Sequence, residues 1–203
     1  IDYPVQLMSK VVENSANGVH LSPASAVWQD KFAEIFTYDL YTELGMEEDA
    51  TRVLTAYTAS EVNFPKENTF WFRDWFLPIY NDYAQGVTLS NFFKVLSQNY
   101  PIDGSDYAGE MNIGQMVHFF SGATGADLQP LAETAFGWTD EYANQLLQAQ
   151  AQFPNLEYPF EPASTIVDIT DDGTLAVSKD NGGGAGAGEG SIKLVDGDNN
   201  TKF

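Results

Sequence analysis

Cysteine is absent from the 203 residues, which removes disulfides, thiolate zinc sites and cysteine nucleophiles together. Basic residues are scarce: 9 Lys+Arg stand against 29 Asp+Glu, for a formal charge of −20. They are also dispersed, with Lys10, Lys31, Arg52, Lys66, Arg73 and Lys94 each alone in its stretch of chain. A phosphate-binding surface needs clustered Lys and Arg, so this distribution argues against nucleic acid as a partner. No apolar run approaches the roughly 20 residues that a bilayer-spanning helix needs, so no transmembrane segment is expected. HExxH, a GxGxxG opening a helix, a P-loop and GxSxG are all missing, and only two histidines, His20 and His118, are present.

What is there reads as a packed globular protein rather than a disordered acidic tail: 43% of residues are hydrophobic and 14% aromatic. The length suits one ordinary domain, or one plus part of a second. The many acids read mainly as a solvated surface of the kind common in secreted and in marine or halophilic proteins. Ile1-Asp2-Tyr3-Pro4 has neither a basic n-region nor an apolar h-region and no initiator Met, as expected of a piece of a longer chain.

Three zones are predicted: an α-helical domain over residues 1–152, a Pro-rich linker over 153–164, and a β and Gly-rich segment over 165–203. The fold class is therefore mainly α, an orthogonal multi-helix domain followed by an incomplete β-sandwich. Seven helices are expected. The first opens after Ser22-Pro23, a capping oxygen followed by Pro at the first helical position. It runs as one apolar stripe through Trp28, Phe32, Ile35, Phe36, Leu40 and Leu44 to Gly45. A second begins at the acids Glu47, Glu48 and Asp49, where the helix dipole favours them. The aromatic third, over residues 69–83, should kink or break at Pro78. A fourth runs from Thr88 to before Pro101 with Leu89, Phe92, Phe93 and Leu96 inward, a fifth from Asn112 to Gly122, a sixth from Asp127 to Gly137, and a seventh opens at Thr139. Beyond Phe153, Pro154, Pro159 and Pro162 forbid helix, and Thr165-Ile166-Val167-Asp168-Ile169 with Thr174-Leu175-Ala176-Val177 read as two strands around Asp171-Asp172-Gly173.

Candidate chemistry is thin. Asp30 and Glu34 lie four apart on the first helix, two acids that repel mildly unless a cation or a buried proton joins them. Trp71, Trp75 and Tyr80 in the aromatic run offer a sugar-stacking platform, although helical spacing equally places such rings in a core. His118, in GQMVHFFSG, reads as a packed histidine with a catalytic base as the alternative.

Two stretches resemble known families. LAVSKDNGGGAGAGEGSIKLVDGDNNTKF is similar to the start of a discoidin (coagulation-factor type C) domain of secreted Bacteroidetes proteins. In related galactose-binding sandwiches this turn wraps a structural Ca²⁺, and the resemblance implies Asp196, Asp198 and Thr201 as calcium ligands, crowding hard oxygens into one loop. NTFWFRDWFLPIYNDY, LSNFFKVLSQNYP and MNIGQMVHFFSGATGADLQPLAETAFGW resemble the helical C-terminal half of secreted gluzincin-type metallopeptidases, the enhancin-like and mucin-degrading kind. Residues 121–128, SGATGADL, match the family's later S-x-x-(S/T)-G-x-D-L segment, and Glu34 would be the third zinc ligand if HExxH lay upstream.

The function these readings imply is the helical portion of a metallopeptidase-like protein acting on extracellular proteins or glycoproteins, joined to a carbohydrate-binding module. The alternative is a non-enzymatic helical scaffold of a secreted glycan-binding protein. In either case an extracellular glycan or glycoprotein is the partner, calcium the expected ion, and zinc expected only in a longer chain. Two carboxylates and one hydroxyl are fewer than the 6–8 oxygens Ca²⁺ prefers. This chain should therefore bind calcium weakly and a longer one strongly. Calorimetry on both lengths checks this, with Asp196→Ala as control; equal affinity, or no loss in the variant, would count against it.

Overall fold

A computed structural model describes residues 2–14 and 22–159. The described chain is mainly α. Its helices are α1 (Asp2–Asn14), α2 (Ser25–Trp28), α3 (Phe32–Glu43), α4 (Glu47–Thr58), α5 (Leu77–Asp82), α6 (Gly86–Asn99), α7 (Ile113–Thr124), α8 (Gln129–Phe136) and α9 (Asp140–Gln152). A π-helical turn, Phe72–Phe76, leads into α5, and a hairpin of β1 (Ile102–Asp103) and β2 (Asp106–Tyr107) separates α6 from α7. The strands expected over residues 165–177 lie outside the described residues.

The expected first helix is two. Gln29 takes φ 54°, a left-handed conformation rare outside glycine, and ends α2 before α3 begins. No Gly or Pro marks this break, so nothing local predicts it. It is held instead by full burial of Trp28 on one side and Phe32 on the other. Ser22 does not cap: Ala24 holds the N-cap position, and the Ser22 hydroxyl is buried with no hydrogen-bond partner among the described residues. At the far end Leu44 is exposed rather than part of the stripe.

Pro78 acts as expected, by a specific route. It has no N–H to give, and its ring would press on the carbonyl four residues back. Widening the preceding turn to a π-helix relieves that pressure, with the Leu77 N–H reaching the Phe72 carbonyl. The turn carries Phe72, Trp75 and Phe76 inward, all fully buried. In α6, Thr88, Leu89, Phe92, Phe93 and Leu96 are buried at the predicted spacing.

Helix α7 opens with a capping box: Gln115 N–H donates to Asn112 Oδ1 at 2.8 Å, and Asn112 N–H to Gln115 Oε1 at 3.0 Å. It runs past Gly122 and stops at Gly125, whose φ of 72° is the left-handed cap. Gly122 has another task, since a β-carbon there would lie 3.1 Å from Leu156 Cβ. The stretch 153–159, read as a linker, is extended but not detached: Phe153, Leu156 and Tyr158 are all buried. The hairpin is a departure from the all-helical expectation, and its signal was the Asp103-Gly104 pair, with Gly104 at φ 66° between paired residues Ile102↔Tyr107 and Asp103↔Asp106.

At Gly114 a β-carbon would come within 2.3 Å of the Gln145 and Leu146 backbone, so α7 and α9 touch there through glycine. Gly114→Ala should cost roughly 1–3 kcal/mol by overpacking. Gly122→Ala meets only a side chain, and the roughly 1 kcal/mol better helix propensity of alanine should offset much of its strain. Chemical denaturation of both variants should rank Gly114→Ala clearly lower; the reverse order would contradict the packing described.

Candidate functional site

Glu34 sits in the first turn of α3 and is buried. Lys31 Nζ lies 2.7 Å from its Oε1, and the Ser60 hydroxyl donates to the same oxygen at 2.9 Å. Lys31 also reaches the Ser60 oxygen at 2.9 Å, closing a triangle of three side chains. Oε2 is buried and receives no hydrogen bond among the described residues. Burial pushes the Glu34 carboxyl above the usual carboxylate range, against the pull of Lys31 and Ser60. The pair Asp30 and Glu34 does not act as one unit. Asp30 lies in the turn before α3 and pairs with Lys10 of α1 at 3.1 Å, in solvent. Both acids line a cleft of about 370 Å³ between α1 and α3, together with Tyr3, Leu7 and Tyr57.

The aromatic residues expected as a binding platform are core. Trp71, Trp75 and Tyr80 are 1%, 0% and 2% exposed, which leaves no ring face for a sugar. Trp71 packs on Phe136 at 4.4 Å between centroids and donates its indole N–H to the Phe64 carbonyl at 2.9 Å. Trp75 meets Phe120 edge-on, and the Tyr80 hydroxyl donates to Asp39 Oδ1 at 3.0 Å. This corrects the platform reading: residues at helical spacing turned to the interior because the apolar area they bury outweighs any surface role.

His118 is buried with both ring nitrogens engaged by the stretch after α9. Nε2 faces the Phe153 carbonyl at 3.0 Å, and Nδ1 faces the Tyr158 hydroxyl at 2.6 Å. A carbonyl only accepts, so Nε2 carries the proton and Tyr158 donates to Nδ1. Burial drives this imidazole below its ordinary value of 6.5, with the Phe153 hydrogen bond opposing. The match SGATGADL proves to be a helix joint. Ser121 Oγ accepts the Leu128 N–H at 3.1 Å, Thr124 donates to the Ser121 carbonyl at 3.1 Å, Gly125 supplies the left-handed cap, and Asp127 accepts the Gln129 N–H at 2.9 Å to start α8.

A zinc ion does not fit the residues described. Glu34 is the single carboxylate of its triangle, an ammonium already occupies the cation's place beside it, and both His118 nitrogens are spoken for. Among the described residues no group of three or more His, Cys, Asp or Glu stands close enough to hold a metal. The calcium candidates Asp196, Asp198 and Thr201, and also His20, lie outside the described residues. Among the described residues no helix is long and apolar enough to cross a membrane.

Two features went unread in the sequence. Glu13 of α1 is buried and accepts a hydrogen bond from Ser25, with burial raising its carboxyl. Its neighbours one turn apart, Val5 and Ser9, also face inward, while Tyr3, Leu7, Met8 and Val11 are exposed, so the helix turns its more polar side to the protein. The second is a cleft of about 320 Å³ between α3 and α6, bordered also by Val12 of α1, walled by Phe32, Phe36, Leu89 and Phe93 with Asp39 at its edge. Asp39 breaks the apolar run of α3, the one local hint of that site. Comparison with protein families, with curated proteins and with solved structures finds no match to this chain.

His118 sets a pH dependence whose sign is fixed. Its folded pKa is depressed, so the stability held by the neutral ring is complete above 6.5 and is lost as pH falls toward the folded value. The raised carboxyls of Glu13, Glu34 and Asp39 act oppositely, favouring the fold at lower pH and losing that advantage as pH rises above the ordinary carboxylate value. Subtracting a His118→Gln variant isolates the histidine contribution. Between about pH 7 and 5 the wild-type chain should lose more stability than the variant; parallel curves would refute the buried neutral ring.

Proposed function

We propose that the described helical region is a non-enzymatic scaffold within a secreted glycan-binding protein, carrying the discoidin-like tail as its recognition element. The observation that supports it best is the Lys31–Glu34–Ser60 triangle: the carboxylate an active site would need is already neutralised by an ammonium at 2.7 Å and serves to tie the start of α3 to the end of α4. The SGATGADL segment and the aromatic run are likewise spent on helix capping and core. A domain of this kind contributes rigidity, while Asp196, Asp198 and Thr201 would hold calcium at the start of the module that takes the glycan.

One observation favours the metallopeptidase-like reading. Glu34 borders a cleft of about 370 Å³ and keeps a buried oxygen without a hydrogen bond among the described residues. In a longer chain that supplied HExxH, displacement of Lys31 would free this acid to act as a third ligand.

One experiment separates the two. A longer chain, extended beyond both Ile1 and Phe203, is offered a mucin-type glycoprotein, with calcium and with added zinc, while retention and peptide-bond cleavage are followed. The scaffold reading expects calcium-dependent retention that Asp198→Ala weakens, and no cleavage above the protein-free blank. Zinc-dependent cleavage that Glu34→Gln abolishes would overturn it.

A further inference from the structure

The cleft between α3 and α6 combines an apolar wall with a single acid. Phe32, Leu89 and Phe93 are buried and form its floor, Phe36 is half-buried at its side, and Asp39 and Gly86 close one end. The volume, about 320 Å³, stands at the lower end of the range for small-molecule sites. Among the described residues Asp39 receives a hydrogen bond from Tyr80 alone, on Oδ1. Gly86 lets the carboxylate rest against the first turn of α6, where a β-carbon would lie 2.7 Å from Oδ1 and 2.8 Å from Oδ2. No Lys or Arg is among the described lining residues, and Glu43 of the same helix adds to the negative field at Asp39.

We propose that this cleft binds a small primary ammonium carrying an aryl or branched-alkyl group, the ammonium on Asp39 and the apolar group against Phe32, Phe36 and Phe93. Each alternative chemistry meets a physical objection. An anion would face the Asp39 carboxylate, in a field that Glu43 makes more negative, with no cation among the described lining residues to answer it. A sugar would bring several hydroxyls to walls whose polar side chains are one carboxylate and the Ser90 hydroxyl, and unpaired polar groups are costly to bury. A neutral hydrocarbon would strip water from Asp39 and return nothing. An ammonium returns a charge-assisted hydrogen bond, and phenyl faces nearby add cation–π attraction. Burial holds the Asp39 carboxyl above the ordinary range, and an arriving ammonium would favour its ionised form.

The probe is phenethylamine, titrated calorimetrically into the full chain, with phenylacetate and ethylamine as the mismatched halves. The expected result is saturable one-to-one binding of phenethylamine, with both halves weaker by about tenfold or more. Asp39→Asn should weaken phenethylamine by about tenfold or more, whereas Glu48→Gln, which removes the same charge outside the cleft, should not. Because Asp39 also holds Tyr80, a second variant guards against misfolding: exposed Ser90 lines the cleft, and Ser90→Phe should fill it and abolish binding with the core untouched. No saturable binding, equal binding of phenylacetate, or phenethylamine binding indifferent to Ser90→Phe would overturn the proposal.

Discussion

The described structure depends on one aromatic cluster centred on Trp28 and Phe120. Trp28 stacks on Phe32 at 5.5 Å and meets Phe76, Phe92, Phe93 and Phe120 at 5.2–6.3 Å between centroids. Phe120 in turn stacks on Phe92 at 4.2 Å and meets Trp75 and Phe76 edge-on. These rings come from α2, α3, the π-helical turn, α6 and α7, so one cluster fixes five elements at once. Offset and edge-on ring pairs each add about 0.5–1.5 kcal/mol beyond the area they bury. The strained Gln29 and the widened turn before Pro78 persist because this packing over-determines them.

The same constraint decides where polar chemistry is allowed. With the rings inside, the partly or fully buried carboxyls Glu13, Glu34 and Asp39 fall at the edges of the core, along α1 and α3. Each is answered by a neighbour: Ser25 for Glu13, Lys31 and Ser60 for Glu34, Tyr80 for Asp39. In all three, burial outweighs the partner and the carboxyl is raised. His118 is the counterpart on the other flank, a neutral ring that fastens the stretch after α9 to α7 through Phe153 and Tyr158. Asp2 behaves differently because it stays near solvent: Arg52 and Tyr41 hold its carboxyl down to about 2.

Most of the helical order was legible because the local signals are strong. Glu47-Glu48-Asp49, Asn112 with Gln115, Thr139 and Gly137 mark helix ends by chemistry that acts within a few residues. The apolar spacing of α6 named its buried face without error. What could not be read depends on distant partners. The break at Gln29 has no local breaker, the role of Gly122 needs Leu156, and the inward face of α1 contains Ser9 and Glu13 rather than an apolar stripe. The same holds for the site. Glu34 was singled out, but its partner Ser60 stands 26 residues away, and Asp39 gained meaning only when α6 brought Gly86 beside it.

The central claim is that the tryptophans and their neighbours form the interior and not a ligand surface. Trp28, Trp71 and Trp75 are fully buried, and Trp138 alone of the four is partly exposed. Iodide quenching of tryptophan emission in a Trp138→Phe variant tests this directly. The account predicts blue-shifted emission that iodide barely reduces in the folded chain and strongly reduces after denaturation. Ready quenching in the folded state, carried by Trp71 or Trp75 in single-tryptophan variants, would contradict it.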